Sequence, residues 1–252
     1  MPKVLEAFII AFILCQVALL ATTVFMHRAL AHRALTLSGP VKAVFRVIVW
    51  MLTGMRPRQW VAVHRKHHAF TDIVGDPHSP VLEGFWTVQL NNAALYRRCV
   101  RDGDVVKRYA RDVPADRWDR VLFDHAILGL AFSYAIGWLI FGWEVVLLAA
   151  AFHAALYLLL NAAVNAVGHA FGKRVYDNQA TNNQWLAFLV LGEGLHNNHH
   201  AAPANAKLAH ASREIDPGWW FISLLVRTGQ ARIRLNDLHL VEREPRIKAS
   251  AG

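Results

Sequence analysis

Cysteine is scarce in this chain of 252 residues: Cys15 lies in an apolar run and Cys99 in a basic one. Two thiols so placed exclude a disulfide framework, and without a Cys-x-x-Cys pair they do not compete for metal. Acid is short relative to base, with 18 Asp and Glu against 27 Lys and Arg and a formal charge of +9. No carboxylate stands in a His-Glu-x-x-His arrangement, which removes the usual zinc-hydrolase pattern. Neither a fixed-period repeat nor a low-complexity tract occurs, so a contiguous His-rich storage segment is excluded too. The sequence is instead rich in apolar residues and histidine: 55% hydrophobic, mean hydropathy +0.25, and 14 histidines. Apolar and basic residues, both abundant, must be separated along the chain, as in a membrane protein with a positive cytosolic side.

The apolar stretches fix an expected topology. Val4–Met26 carries one charge, Glu6, and is long enough for a hydrocarbon core of about 30 Å. His27 and Arg28 follow at once, with no small-residue cleavage site, so it does not read as a signal peptide. A second apolar region begins near Ala126 and is broken at Phe141-Gly142-Trp143-Glu144, which predicts a hairpin of two spans over 125–142 and 145–167. Val41–Met55 is apolar but short and contains Lys42 and Arg46, so it is expected as an amphipathic helix on the membrane face. Were it a span, it would put His27 and His32 on the opposite side from His64–His68. The expected architecture is therefore all-α and membrane-integral, with about three spans and four as the alternative count. One domain over 1–230 has its cytosolic helical cap in 56–124 and 168–230, and 231–252 forms a peripheral polar tail. Basic residues of both cap segments place the cap in the cytoplasm.

His64-Arg-Lys-His67-His68 and His196-Asn-Asn-His199-His200 share the pattern His-x-x-His-His. On a helix, positions i, i+3 and i+4 share a face, so each box offers three imidazoles to one point. His27 and His32 are five apart and converge only if the helix ends or unwinds there. His169 follows Asn165 by one helical turn, which places Asn165 to hold a metal-bound water or orient a ligand. His78, His125, His153, His210 and His239 are single histidines, read as surface or internally satisfied side chains. Imidazole suits several metals. Nine ligands exceed one tetrahedral ion, and two irons activating dioxygen fit better than redox-silent zinc.

With these residues in view, the sequence resembles the membrane fatty acyl desaturases of the stearoyl-CoA (delta-9) type in their bacterial form. His27-Arg-Ala-Leu-Ala-His32-Arg33 is similar to the family's first box. Trp60-x-x-x-His64-Arg-Lys-His67-His68 continues through Thr71-Asp72 to Asp76-Pro77-His78 as the second. Gly192-Glu193-Gly194-Leu195-His196-Asn-Asn-His199-His200 is similar to the third, with Leu195 where the bacterial form commonly has a bulky aromatic. Asn165-x-x-x-His169 matches the additional ligand motif, and the resemblance covers roughly residues 10–210.

The resemblance implies two non-haem irons. His27, His32, His64, His68 and His199 would hold one; His67, His169, His196 and His200 would hold the other, with Asn165 acting through a water. It implies an O2-dependent desaturation that takes two electrons from an external donor, a ferredoxin or a cytochrome b5-like carrier with its reductase. No His-Pro-Gly-Gly haem motif occurs to supply a fused donor. The implied substrate is a fatty acyl chain on CoA, acyl carrier protein or lipid. Arg97, Arg98, Arg101, Lys107 and Arg108 are candidates for the carrier's phosphates or an acidic donor. Membrane lipid is an expected partner and nucleic acid is not; the expected site is the cytoplasmic face of a bacterial inner membrane. The family usually has two spans before the first box, whereas residues 1–26 hold one. Alternatives are a related di-iron hydroxylase or acetylenase, or a non-enzymatic membrane metal-binding protein. The last predicts polar spans, yet only His153, Asn161 and Asn165 interrupt the apolar ones.

Overall fold

The computed structural model describes residues 1–235 and 237–241. The chain is mostly helical. α1 (Lys3–Ala21) runs without a break into a π-helical segment, Thr22–Ala31. A short strand β1 (Leu35–Leu37) leads to α2 (Gly39–Leu52), whose N-terminus is capped by Ser38 Oγ accepting from Val41 N. α3 (Pro57–Phe70) opens on proline, where a missing N–H costs nothing. Then come α4 (Pro80–Glu83), α5 (Phe85–Arg101), α6 (Gly103–Tyr109), α7 (Ala126–Phe141) and α8 (Trp143–Ala170). The chain closes with α9 (Gln184–Leu189), α10 (His196–Ala201), α11 (Pro217–Arg227) and strand β2 (Ala231–Ile233).

α1 and α8 form the centre of the fold and run parallel. Lys3 pairs with Glu144 at one end, and at the other His27 and His169 each join one of two adjoining histidine groups. The contact face of α1 is small: Ala7, Ala11, Cys15 and Ala18 are all fully buried, three or four residues apart. Such spacing lets two backbones approach closely, the usual way helices associate where lipid removes the hydrophobic drive. Val145, Ala149 and Tyr157 of α8 fill the other side.

Two helices are long and apolar enough to cross a membrane by length and composition, Lys3–Ala31 and Trp143–Ala170. Of the three spans expected, these two meet the length criterion. α7 is apolar but has 16 residues, about 24 Å of helix against a ~30 Å hydrocarbon core. Its turn into α8 falls at Gly142, which takes φ +80°. α2 does not lie alone: Phe45, Val49 and Trp50 turn inward, and Trp50 Nε1 donates to His125 O at 3.0 Å. Gly129 of α7 lies so close to the Trp50 backbone that a Cβ there would sit 2.2 Å from its carbonyl oxygen. Arg46, the charge that argued against insertion, is paired with Asp116 and Asp119 at 2.8 and 2.7 Å.

Among the described residues the chain departs from an all-helical one in a single two-stranded ribbon and in isolated bridges from Asn182 to Lys173 and Leu195. β1 and β2 form an antiparallel ribbon with Thr36 opposite Arg232. Strands of three residues carry no readable alternation, which is why sequence pattern misses them. The beginning of the expected polar tail is thus tied to the body, and Val241 N donates to Ala201 O at 2.8 Å. Residues 242–252 of that tail lie outside the described residues.

Candidate metal centre

The π-helical segment solves the spacing of the first histidine pair. In α geometry five residues do not close a turn, whereas a π-turn bonds i to i+5. His32 N donates to His27 O at 3.0 Å, and the two rings stand 4.8 Å apart between centroids. The helix widens into π geometry over Thr22–Ala31 and then ends, with His32 as its C-terminal cap.

α3 and α10 present the other boxes. In α3, His64, His67 and His68 face inward, while Arg65 between them donates to Leu30 O and Ala31 O at 2.9 and 2.7 Å. That residue straps the second box to the first. In α10 the two intervening asparagines face the other way and hold the cap together. Asn197 Oδ1 accepts from Val175 N and Tyr176 N at 2.8 and 2.7 Å, and its amide donates to Tyr176 O, Asn178 Oδ1 and Ala180 O. Asn198 donates to Leu208 O and Glu214 at 2.9 and 2.8 Å. One face of α10 is therefore imidazole and the other a set of loop anchors.

All nine candidate histidines come together, in two groups. The ring nitrogens of His27, His32, His64, His68 and His199 lie within 4.8 Å of one another, as do those of His67, His169, His196 and His200. The partition coincides with the one implied by the resemblance. Nε2–Nε2 separations are 2.7 Å for His32 and His64, 2.9 Å for His68 and His199, and 3.0 Å for His27 and His199. In the second group they are 3.3 Å for His67 and His200 and 3.2 Å for His196 and His200.

Three carboxylates, quoted in the motifs but given no role from sequence, fix which nitrogen carries the proton. Asp76 faces His67 Nδ1 at 3.0 Å, Asp72 faces His169 Nδ1 at 2.8 Å, and Glu193 faces His27 Nδ1 at 2.9 Å. An ionised carboxylate only accepts, so each Nδ1 donates and each Nε2 keeps its lone pair pointing inward. Burial would raise all three acids, but His67 overrides it for Asp76, whose value falls to about 2. His169 does the same for Asp72, and His27 with Arg28 does so for Glu193. Burial first, and neighbouring imidazoles second, hold His64, His68, His196, His199 and His200 far below the ordinary histidine value. Neutral rings with converging lone pairs are the ligating form of histidine. His169 Nε2 is buried with no hydrogen-bond partner. Such a donor set fits a pair of cations and fits little else, because lone pairs do not satisfy one another.

Glu193 is itself held by Arg28, which is 1% exposed and forms a two-pronged pair with Asp216 at 2.8 and 3.1 Å. Gly192 and Gly218 make room for that guanidinium: a Cβ on either would come within 2.9 Å of Arg28 Nη2.

A cavity of about 280 Å³ opens beside both groups. Its walls combine His27, His64, His78 and His196 with apolar Leu90, Leu158, Leu159 and Val164. Asn165, the expected water holder, lines it one turn before His169. His78, expected to be an ordinary single histidine, is buried with its ring 4.8 Å from His67 and its Nε2 unpaired. Burial, then His67, pushes it down to about 3. Its position two residues after Asp76 was the available clue. Of the five basic candidates, Arg97 reaches the cavity; Arg98 pairs with Glu83, Lys107 with Asp104 at 3.0 Å, Arg108 lies over Tyr109, and Arg101 is exposed. They form a basic surface rather than a single pocket.

The sequence profile of fatty acid desaturases matches residues 5–220. The chain belongs to the fatty acid desaturase family. It is 33% identical over 220 residues to an acyl-CoA C20 delta5-desaturase of Anemone leveillei, covering 83% of this chain and 67% of that protein. It is 31% identical over 223 residues to a chloroplastic palmitoyl-monogalactosyldiacylglycerol delta-7 desaturase of Arabidopsis thaliana, with coverages of 84% and 57%. To the sn-1 stearoyl-lipid 9-desaturase of Anabaena variabilis it is 30% identical over 226 residues, with 86% and 80% covered. The chain thus spans about three fifths to four fifths of the length of these desaturases, and their names give two kinds of acyl carrier, CoA and lipid.

Proposed function

We propose that this chain is an integral-membrane di-iron desaturase that uses dioxygen and two external electrons to introduce a double bond into a fatty acyl chain. The observation that carries the reading is the pair of imidazole groups, five and four, opening on a cavity with an apolar wall. His27, His32, His64, His68 and His199 would hold one iron; His67, His169, His196 and His200 would hold the other, with Asn165 acting through a water. The irons supply the oxidising power, drawn from dioxygen and two electrons, that removes two vicinal hydrogens from an unactivated chain.

The residues of the chain do the rest. Asp72, Asp76 and Glu193 keep three imidazoles in one tautomer and one orientation, which raises their basicity as ligands. Trp60 stacks on His64 at 4.9 Å and shields that ring from water. Leu90, Leu158, Leu159 and Val164 exclude water from the alkyl chain, so one C–C bond is held at the centre, and such positioning is worth several kcal/mol in rate. Gln89 Oε1, Asn92 Oδ1 and the Tyr96 hydroxyl are buried without partners on one face of α5, with Arg97 beside them. This polar row suits the carbonyl and amide groups of a carrier. The exposed Arg98, Arg101, Lys107 and Arg108 suit an acidic ferredoxin or cytochrome b5-like donor. Three spans with the cap on the cytoplasmic face of a bacterial inner membrane, and a stearoyl delta-9 preference, complete the proposal; the positive charge of the cap supports the orientation.

Expression of the whole chain in a host with a reductase system, followed by mass spectrometry with double-bond localisation, tests it. New unsaturation should appear and vanish in His67→Ala and His199→Ala, with iron falling from two per chain. Undiminished unsaturation in both accumulated variants would refute the reading, as would a single zinc in active protein.

A further inference from the structure

Below the catalytic cavity lies a second one. It measures about 400 Å³ and is walled by Ile10, Leu14, Met51, Leu130, Ala150 and others, almost all apolar. The two cavities meet at a common level on three helices. On α8 the first ends at Tyr157 and the second begins at His153, one turn away. On α2 the division falls between Thr53 and Leu52, and on the first helix between Thr22 and Leu14.

The partition is built of polar groups in an otherwise apolar span. Thr22 Oγ1 donates to Ala18 O at 2.9 Å and accepts from the Tyr157 hydroxyl at 2.7 Å, bridging the two central helices. His153 stacks on Tyr157, with centroids 5.9 Å apart and planes 12° from parallel. Its Nε2 donates to Leu52 O at 2.8 Å, joining α8 to the end of α2. A carbonyl only accepts, so the proton is on Nε2 and the lone pair is on Nδ1, which is buried with no partner. Around Tyr157 pack Cys15, Ala18 and Leu19, with Leu52 and Met55. Polar side chains within a membrane span are costly and retained for a purpose. His153, read from sequence as an ordinary single histidine, here has a structural partner on each side and a place between two voids.

We infer that Tyr157 and His153 form a barrier that sets the length of alkyl chain the catalytic cavity accepts, and that the apolar cavity beyond it takes the distal end of a longer chain once the barrier is removed. The inference rests on the proposed acyl substrate. The Tyr157 ring closes the floor, the bond to Thr22 fixes the ring, and His153 braces it from below.

The experiment uses the full chain with saturated acyl substrates of rising length, read in two ways. Product analysis gives the accepted lengths, and binding of saturated fatty acids to the purified protein gives the same limit without turnover. In Tyr157→Ala the limit should move to longer chains by both readouts, with affinity rising roughly fourfold for each methylene that enters the second cavity. The double bond should stay at the same distance from the carboxyl end. Adding Ala150→Leu, which fills the second cavity, should restore the original limit. If Tyr157→Ala does not accumulate, His153→Ala opens the same boundary from below and should extend the limit likewise. An unchanged length limit in the accumulated variants, with desaturation intact, overturns the barrier. A binding limit that shifts as expected in a chain that desaturates nothing sustains the barrier and overturns the desaturase reading instead.

Discussion

Arg28→Met tests the foundation on which the first and third histidine boxes meet. The guanidinium is fully enclosed and donates to both oxygens of Asp216 and to the carbonyls of Ala206 and Leu191, at 2.8 and 3.3 Å for the latter two. Its Nε stands 3.6 Å from Glu193, the carboxylate that orients His27. Methionine fills much of the volume but leaves Asp216, itself 1% exposed, as an unpaired buried charge. Removing one partner of a buried pair costs about 3–5 kcal/mol. For a chain of this size 1 kcal/mol is worth about 2–4 °C, so the melting temperature should fall by about 6–20 °C. Thermal unfolding in detergent, followed by the fluorescence of the nine tryptophans, reads this directly. Asp216→Asn alone should cost a similar amount, because Asp216 also accepts from Leu208 N and Trp219 N at the start of α11. The double variant should lose less than the sum of the two singles, by about 1–3 kcal/mol of coupling. A melting temperature within a few degrees of wild type for Arg28→Met, or strict additivity in the double variant, would refute the reasoning.

Asp76→Asn should release His67 from its fixed tautomer and lower the affinity of the histidine groups for metal by about 10–100-fold, measured by competition with a chelator. Asn197→Ala strips acceptors from two backbone amides of the 173–180 loop. It should cost about 2–4 kcal/mol and open that loop to proteolysis before the helices unfold. Asp112 is held well below the usual carboxylate range by hydrogen bonding from Arg65, against burial, and then by Arg33. Such a group contributes stability that is complete above the ordinary carboxylate value and lost as pH falls through its own. The melting difference between wild type and Asp112→Asn should therefore be full at neutral pH and shrink below about pH 4, with the same slope expected in no other range.

The two His-x-x-His-His boxes were legible because helical periodicity alone puts three imidazoles on one face, and the apolar runs were legible because span length is counted in residues. What escaped reading depends on approaches between distant parts of the chain. Asp72, Asp76 and Glu193 stand in plain view in the motifs, but nothing local says that each faces an Nδ1. The π-helical turn at His27 was bracketed rather than found: the spacing of five demanded a distortion, and its kind follows from what packs around it. α2 was read from its charges as a surface element. Its close contact with α7 turns on the one glycine, Gly129, that admits the Trp50 backbone. In the sequence Arg28 merely follows the first apolar run, and only the fold reveals that Asp216, 188 positions away, encloses it.

The convergence of His27 with His199 has a consequence in time as well as space. These two ring nitrogens meet across 172 positions of sequence. At about 5–20 residues per second, a ribosome takes roughly ten to thirty seconds to travel between them. Throughout that interval the first box is already made and has no counterpart. An imidazole centre assembled from segments so far apart is thus a checkpoint on synthesis: a product truncated before His196 keeps the first two boxes but never closes the ligand set.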